Sequence, residues 1–256
     1  MTTHRQLPFA LNSSWWPARA GITVLAAAAL LLSAPAQALP TKQVTIQPWQ
    51  VCDDAGSNCA TTSLFADFTT KIWAQADLVV NFLGIQQVNS SARLNENAFA
   101  DLGHVSAGSI IDLWFVHDLF DCGGTFGPGE LYGCGTASGW FAVTQEVFDF
   151  SLVGRVDTLS HELGHVLGLG HSDFGAGGND NLMTSGGSRV IAQALGDVNP
   201  DGLGLEKLTA AQITEARSSS FTSLAPTVTV PEPGTMALAG LALLGLGLAR
   251  RTSTAR

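Results

Sequence analysis

The 256-residue chain has room for one ordinary domain, or two small ones, once targeting segments are set aside. With 46% hydrophobic and 13% charged residues it is too apolar for a disordered chain. Residues 39–249 hold all 21 acidic residues but only seven of the twelve basic ones, which argues against nucleic acid as a partner and fits an exported soluble protein. Part of the apolar excess sits at the termini. Residues 21–38, rich in Ala and Leu, follow a leader carrying His4, Arg5 and Arg19, the layout of a signal peptide. The small residues of Ala34-Pro35-Ala36-Gln37-Ala38 place signal-peptidase cleavage after Ala38, so residues 1–38 are expected to be removed; an uncleaved anchor is the competing reading.

Residues 42–52 alternate as a first strand, with Val44, Ile46 and Trp49 on one face. Over residues 61–77 the spacing of Leu64, Phe65, Phe68, Ile72, Trp73 and Ala76 predicts a helix with one apolar stripe. Residues 78–88 read as a strand, and 89–107 as a long, irregular surface connection. The continuous apolar run at 110–116 suits an inner strand covered on both faces. A further strand is expected at 140–147, a helix at 153–168, and a last helix at 208–218, opened by Thr209 and carrying Leu208, Ile213 and Ala216 inward.

Four cysteines in an exported chain point to loop disulfides. Of the three connectivities open to Cys52, Cys59, Cys122 and Cys134, the local pairs Cys52 with Cys59 and Cys122 with Cys134 close short polar loops most easily. Neither pair has the CxxC spacing of a zinc ribbon. Asp197, Asn199 and Asp201 occupy positions 1, 3 and 5 of a calcium-loop pattern with Gly202 at 6, but position 12 is Leu208 instead of glutamate. Calcium ligation and a simple turn both remain open there, as they do for Asp173, Asp180 and Asn181.

The chemistry is concentrated in His161-Glu162-Leu163-Gly164-His165-Val166-Leu167-Gly168-Leu169-Gly170-His171, a complete HExxHxxGxxH. On a helix, residues four apart share a face, so His161 and His165 can reach one zinc ion while Glu162 faces the bound water. Gly168 ends the helix in a conformation that glycine adopts without strain and brings His171 round as third ligand. Three neutral imidazoles leave a fourth position for water, the arrangement of catalytic zinc. Glu162 is then expected to serve as general base on the zinc-activated water and as general acid to the leaving amine.

This extended motif resembles the metzincin zinc peptidases, and the His171-Ser172 pair is closest to their matrixin branch. The resemblance runs over about residues 42–221 and includes a Met-turn, which Asn181-Leu182-Met183-Thr184-Ser185-Gly186 matches with Met183. It implies an α+β, zincin-like catalytic domain: a twisted, mostly parallel five-stranded sheet, an active-site helix and a C-terminal helix. It further implies a substrate-binding edge strand near residues 131–138, pairing with peptide backbone by β-augmentation. A side-chain pocket is expected beside Met183, with residues from 184–190 in its wall. Two departures stand out. Ser185 replaces the tyrosine found two residues after the Met-turn methionine in some branches, the only tyrosine being Tyr132, and no cysteine-switch propeptide is present.

At the other end, Val230-Pro231-Glu232-Pro233-Gly234, the Ala/Leu/Gly run at 235–249, and Arg250, Arg251 and Arg256 resemble the PEP-CTERM sorting tail of Gram-negative bacteria. That resemblance implies an exosortase-type processing enzyme as partner, an apolar helix at 235–249, and delivery to the cell envelope, cell surface or extracellular matrix. A plain C-terminal anchor is the alternative. The expected organisation is a signal peptide at 1–38, a catalytic domain at 39–225 and a sorting tail at 226–256, with membrane contact only through the terminal segments. The function expected is an exported zinc endopeptidase acting on polypeptides. The alternative is a catalytically silent surface or matrix protein that uses the same fold for adhesion.

Overall fold

Strand β1 (Lys42–Cys52) is the spine of the molecule, pairing along both of its edges. The computed structural model describes residues 42–96, 99–122 and 131–226. The expected signal peptide and the apolar segment 235–249 lie outside them. Among the described residues no helix is long and apolar enough to cross a membrane.

The sheet runs in the order β2 (Leu78–Phe82), β1, β5 (Ile110–Phe115), β8 (Trp140–Val143), β7 (Gly133–Thr136). The first three pairings along that path are parallel and β7 runs antiparallel to β8, so the five-strand path is mostly parallel, as expected. Two short strands add to β1: β3 (Gln86–Asn89), parallel, and β9 (Ser223–Leu224), antiparallel. Residues 78–88 are therefore two strands rather than one. The break lies opposite Pro48, which has no N–H to give to a ladder. Gln47 covers the gap by donating from Nε2 to the Gly84 carbonyl at 2.9 Å.

β5 is buried on both faces, which explains its unbroken apolar run. Its one acid, Asp112, is fully buried and accepts from Trp49 Nε1 at 2.7 Å and from the N–H groups of Val105 and Ser106 at 2.7 and 2.9 Å. Those bonds replace the water the carboxylate gives up.

Helix α1 (Ala66–Ala74) is shorter than the 61–77 expected, because Phe65 takes φ 41° and Leu64 and Phe65 reach the core from a loop. Thr69, Ile72 and Trp73 are its buried face. The region at 89–107 is more ordered than its polarity suggests. It forms α2 (Ser91–Leu94), the two-residue strand β4 (Asn95–Glu96) paired with β6 (Asp118–Leu119), and a 3-10 turn at Phe99–Asp101. Buried Leu94, Phe99 and Leu102 pin it down. The strand expected at 140–147 stops at Val143 and turns into α3 (Glu146–Asp149). Helix α4 (Thr158–Val166) starts later than residue 153, since Gly154 takes φ 79°. Helix α5 (Ala210–Ser218) opens on a capping box, with Thr209 accepting from the Gln212 N–H and Gln212 accepting from the Thr209 N–H. Of its expected inward residues, Leu208 and Ala216 are buried and Ile213 is partly so.

Both local cysteine pairs are disulfide-bonded, Cys52 with Cys59 and Cys122 with Cys134. No free thiol remains to act as a metal-blocking switch.

Candidate metal centre and cleft

Helix α4 carries His161, Glu162 and His165 across the sheet beside strands β7 and β8. Its close approach to the edge strand depends on glycine. A Cβ at Gly135 would strike the Glu162 carbonyl oxygen, and one at Gly133 would lie 2.8 Å from Glu162 Cγ. After the helix, Gly168 takes φ 96°, where a side chain is strained, and the chain doubles back so that His171 meets the other two histidines.

The three imidazoles converge through one kind of atom. His171 Nε2 lies 3.1 Å from His161 Nε2 and 3.1 Å from His165 Nε2. The opposite nitrogens are taken: His161 Nδ1 lies 2.6 Å from the Leu182 carbonyl and 2.6 Å from Arg189 Nη1, and His165 Nδ1 donates to the Leu169 carbonyl at 2.7 Å. A carbonyl acceptor at Nδ1 favours the tautomer whose Nε2 lone pair faces the common point. Neutral acceptors so close repel one another unless a cation sits between them. Tetrahedral ligands about 2.0–2.1 Å from zinc lie roughly 3.3 Å apart, near the spacing seen here. The residues fit a zinc ion, and among the described residues this is the one group of His, Cys, Asp or Glu side chains found with metal-binding geometry.

Electrostatics agree with a metal-ready triad. Burial lowers His161 well below its ordinary value, with the Arg189 guanidinium next in effect. Burial takes His165 down to about 4 and also lowers His171, which Arg189 depresses further. All three are therefore neutral at pH 7, the form that ligates metal. Glu162, only 6% exposed, is raised to about 8 by burial, against the pull of Arg189.

Met183 is fully buried under the triad, its sulfur against Gly164 of α4. The Met183 N–H donates to Asn181 Oδ1 at 2.9 Å, and Asn181 and Gln212 exchange amide hydrogen bonds at 2.9 and 3.1 Å. The capping residue of α5 thus also holds the turn beneath the triad.

Two arginines stand at this site: Arg189 falls within the 184–190 stretch expected in the pocket wall, and Arg155 was not anticipated. Arg189 donates from Nε to Asp157 at 2.7 Å and from Nη1 to the carbonyls of Leu182 and Thr184 at 2.7 and 2.6 Å, while its Nη2 pairs with Asp157. Arg155 donates to the Gly186 carbonyl at 2.9 Å and lies over the Tyr132 ring, 4.6 Å from its centroid. Both line a cavity of about 320 Å³ together with the three histidines, Glu162, Tyr132 and Gly186. The available signal was scarcity: two of the seven basic residues between 39 and 249 flank the motif in an acidic chain.

Asp180, Asp197, Asn199 and Asp201, for which calcium ligation and a simple turn were both open, have separate protein partners. Asp197 accepts from the N–H groups of Gln193 and Ala194, Asn199 donates to Gln75, and Asp201 pairs with Lys71 at 2.6 Å. Asp180 pairs with Lys207, also at 2.6 Å.

The PEP-CTERM protein-sorting motif matches residues 229–251. Among solved structures, a zinc-dependent peptidase from Methanocorpusculum labreanum (strain Z) is similar at 13% identity and a TM-score of 0.37, over 67% of this chain and 99% of that one. No curated protein matches the chain. The chain thus joins a PEP-CTERM motif, the mark of export and surface sorting in Gram-negative bacteria, to a three-histidine cluster that fits an HExxHxxGxxH zinc site.

Proposed function

We propose that this chain is an exported zinc-dependent endopeptidase of the metzincin type, its catalytic part spanning residues 39–225 between a signal peptide and a sorting tail. The observation that carries this reading is the triad itself: three neutral imidazoles whose Nε2 atoms converge while carbonyls hold the Nδ1 atoms of His161 and His165, beside the buried carboxyl of Glu162. His161, His165 and His171 hold the metal. When bound, zinc polarises a carbonyl and makes water acidic enough to attack at neutral pH.

The protein supplies position and proton transfer. Strand β7 pairs only with β8 among the described strands, so its outer edge can add an extended substrate by main-chain hydrogen bonds. Glycines 133 and 135 let that edge lie against Glu162, bringing the substrate backbone within reach of the carboxyl. Glu162 as carboxylate takes the proton from the attacking water and delivers it to the leaving amine. Met183 and the Asn181–Gln212 pair set the floor on which the histidines rest.

Glu162→Gln separates binding from chemistry. The variant is expected to keep one zinc per chain and to lose turnover by about 10²–10⁴-fold or more. Zinc content by atomic emission and cleavage of a peptide library check this, and undiminished cleavage would reject Glu162 as the proton carrier.

A further inference from the structure

The cavity beside the triad is lined by two arginines, in a chain with few basic residues. Arg155 and Arg189 both line it and are 5% and 8% exposed. Asp157 lies between them as their shared counter-ion, its carboxylate bonded to Arg189. Glu206 stands behind Arg189 with Oε2 3.8 Å from Nε, and its raised pKa of about 8, caused first by burial, leaves it little negative charge at neutral pH.

The two arginines differ in how far they are used. Arg189 spends its donors on Asp157 and on the carbonyls of Leu182 and Thr184. Arg155 makes one hydrogen bond, to Gly186, and its Nε lies 3.7 Å from Asp157 Oδ1, beyond bonding distance. Its guanidinium lies 4.6 Å from the Tyr132 ring centroid and 5.3 Å from that of Phe150, two rings packed edge to face, and these contacts use none of its N–H groups. Thr158 lines the same cavity, is 2% exposed, and has a buried hydroxyl with no hydrogen-bond partner. A buried guanidinium with donors to spare and an orphan hydroxyl form a site for a carboxylate, since such groups are costly to leave unpaired.

We propose that this cavity receives an acidic side chain of the substrate, so that the enzyme cuts beside Asp or Glu, with Arg155 as the principal anchor and Thr158 as a second donor. The inference rests on the peptidase reading of the cleft and adds its substrate class. A peptide's own C-terminal carboxylate has the same chemistry, and the test separates the two.

Two measurements on the full zinc-loaded chain decide it. The parent is given a library of N-acetylated, C-amidated peptides, and cuts flanked by Asp or Glu are expected to dominate. The Glu162→Gln protein is titrated by calorimetry with amidated hexapeptides that carry Asp, Asn or Leu at each position in turn. At the preferred position the Asp peptide should bind about tenfold or more tightly than its Asn counterpart. Arg155→Gln should bring that ratio to within about twofold, whereas Arg155→Lys keeps part of it. Equal binding of Asp and Asn peptides by the Glu162→Gln protein with Arg155 intact overturns the inference. So does a preference that persists in Arg155→Gln, or one that appears only for neutral peptides with a free C-terminus. Cleavage without acidic preference leaves the peptidase reading standing, while Asp-selective binding without cleavage removes that reading and keeps the carboxylate site.

Discussion

Glu206 is where the charge balance of the site is most exposed to pH. Its folded pKa lies near 8 against an ordinary 4.5, chiefly through burial and next through the charge of Asp157. Between those values the folded chain holds a proton that the unfolded chain has released, so stability falls as pH rises from about 4.5 to 8. Glu206→Gln should therefore be more stable than the parent at pH 8 and close to it at pH 4, as read from denaturant midpoints of metal-free protein. The histidines act with the opposite sign. His165, lowered to about 4 by burial, makes the folded chain lose stability as pH falls from 6.5 towards 4. The triad is thus neutral, and able to take metal without first shedding protons, across the neutral range.

At the level of elements, the site depends on how closely α4 approaches β7. Gly135→Ala places a methyl against the backbone carbonyl of Glu162, an atom that moves only with the helix. Overpacking of this kind costs about 1–3 kcal/mol. The variant should show that loss by thermal melting together with weakened zinc binding, because the same shift displaces Glu162 and His165. The turn at Met183 is held differently, by polar bonds from α5 rather than by packing alone. That division of labour explains a buried Gln212 in a helix whose neighbouring positions are ordinary. The disulfide between Cys122 and Cys134 fastens β7 to the chain after β6.

For the whole molecule, the metal is expected to act as part of the fold. The three candidate ligands come from α4 and from the turn after it; His161 is tied to the Leu182 carbonyl of a later segment and His165 to the Leu169 carbonyl of the turn itself. Zinc that binds only the folded chain stabilises it by mass action, about 2.7 kcal/mol at a free concentration one hundred times Kd. Chelation should lower the melting temperature, zinc should restore it, and His161→Ala should abolish the response. Most of this centre was legible in the sequence. Spacing within one helix fixes which side chains share a face, so His161, Glu162 and His165 could be named from local geometry alone. Strand β1, both cysteine pairings and the start of α5 at Thr209 followed in the same way from period, loop length and capping chemistry. The ends of α1 and α4 did not, because they depend on the φ angles taken at Phe65 and Gly154. Nor did the split of residues 78–88, which reflects a proline on the neighbouring strand. The sequence by itself determined the candidate metal ligands, since their pattern lies within eleven consecutive residues. Only the tertiary structure decided the charge of the pocket, because Arg155, Asp157, Arg189 and Glu206 meet through contacts between residues up to 32 positions apart, which no local periodicity encodes.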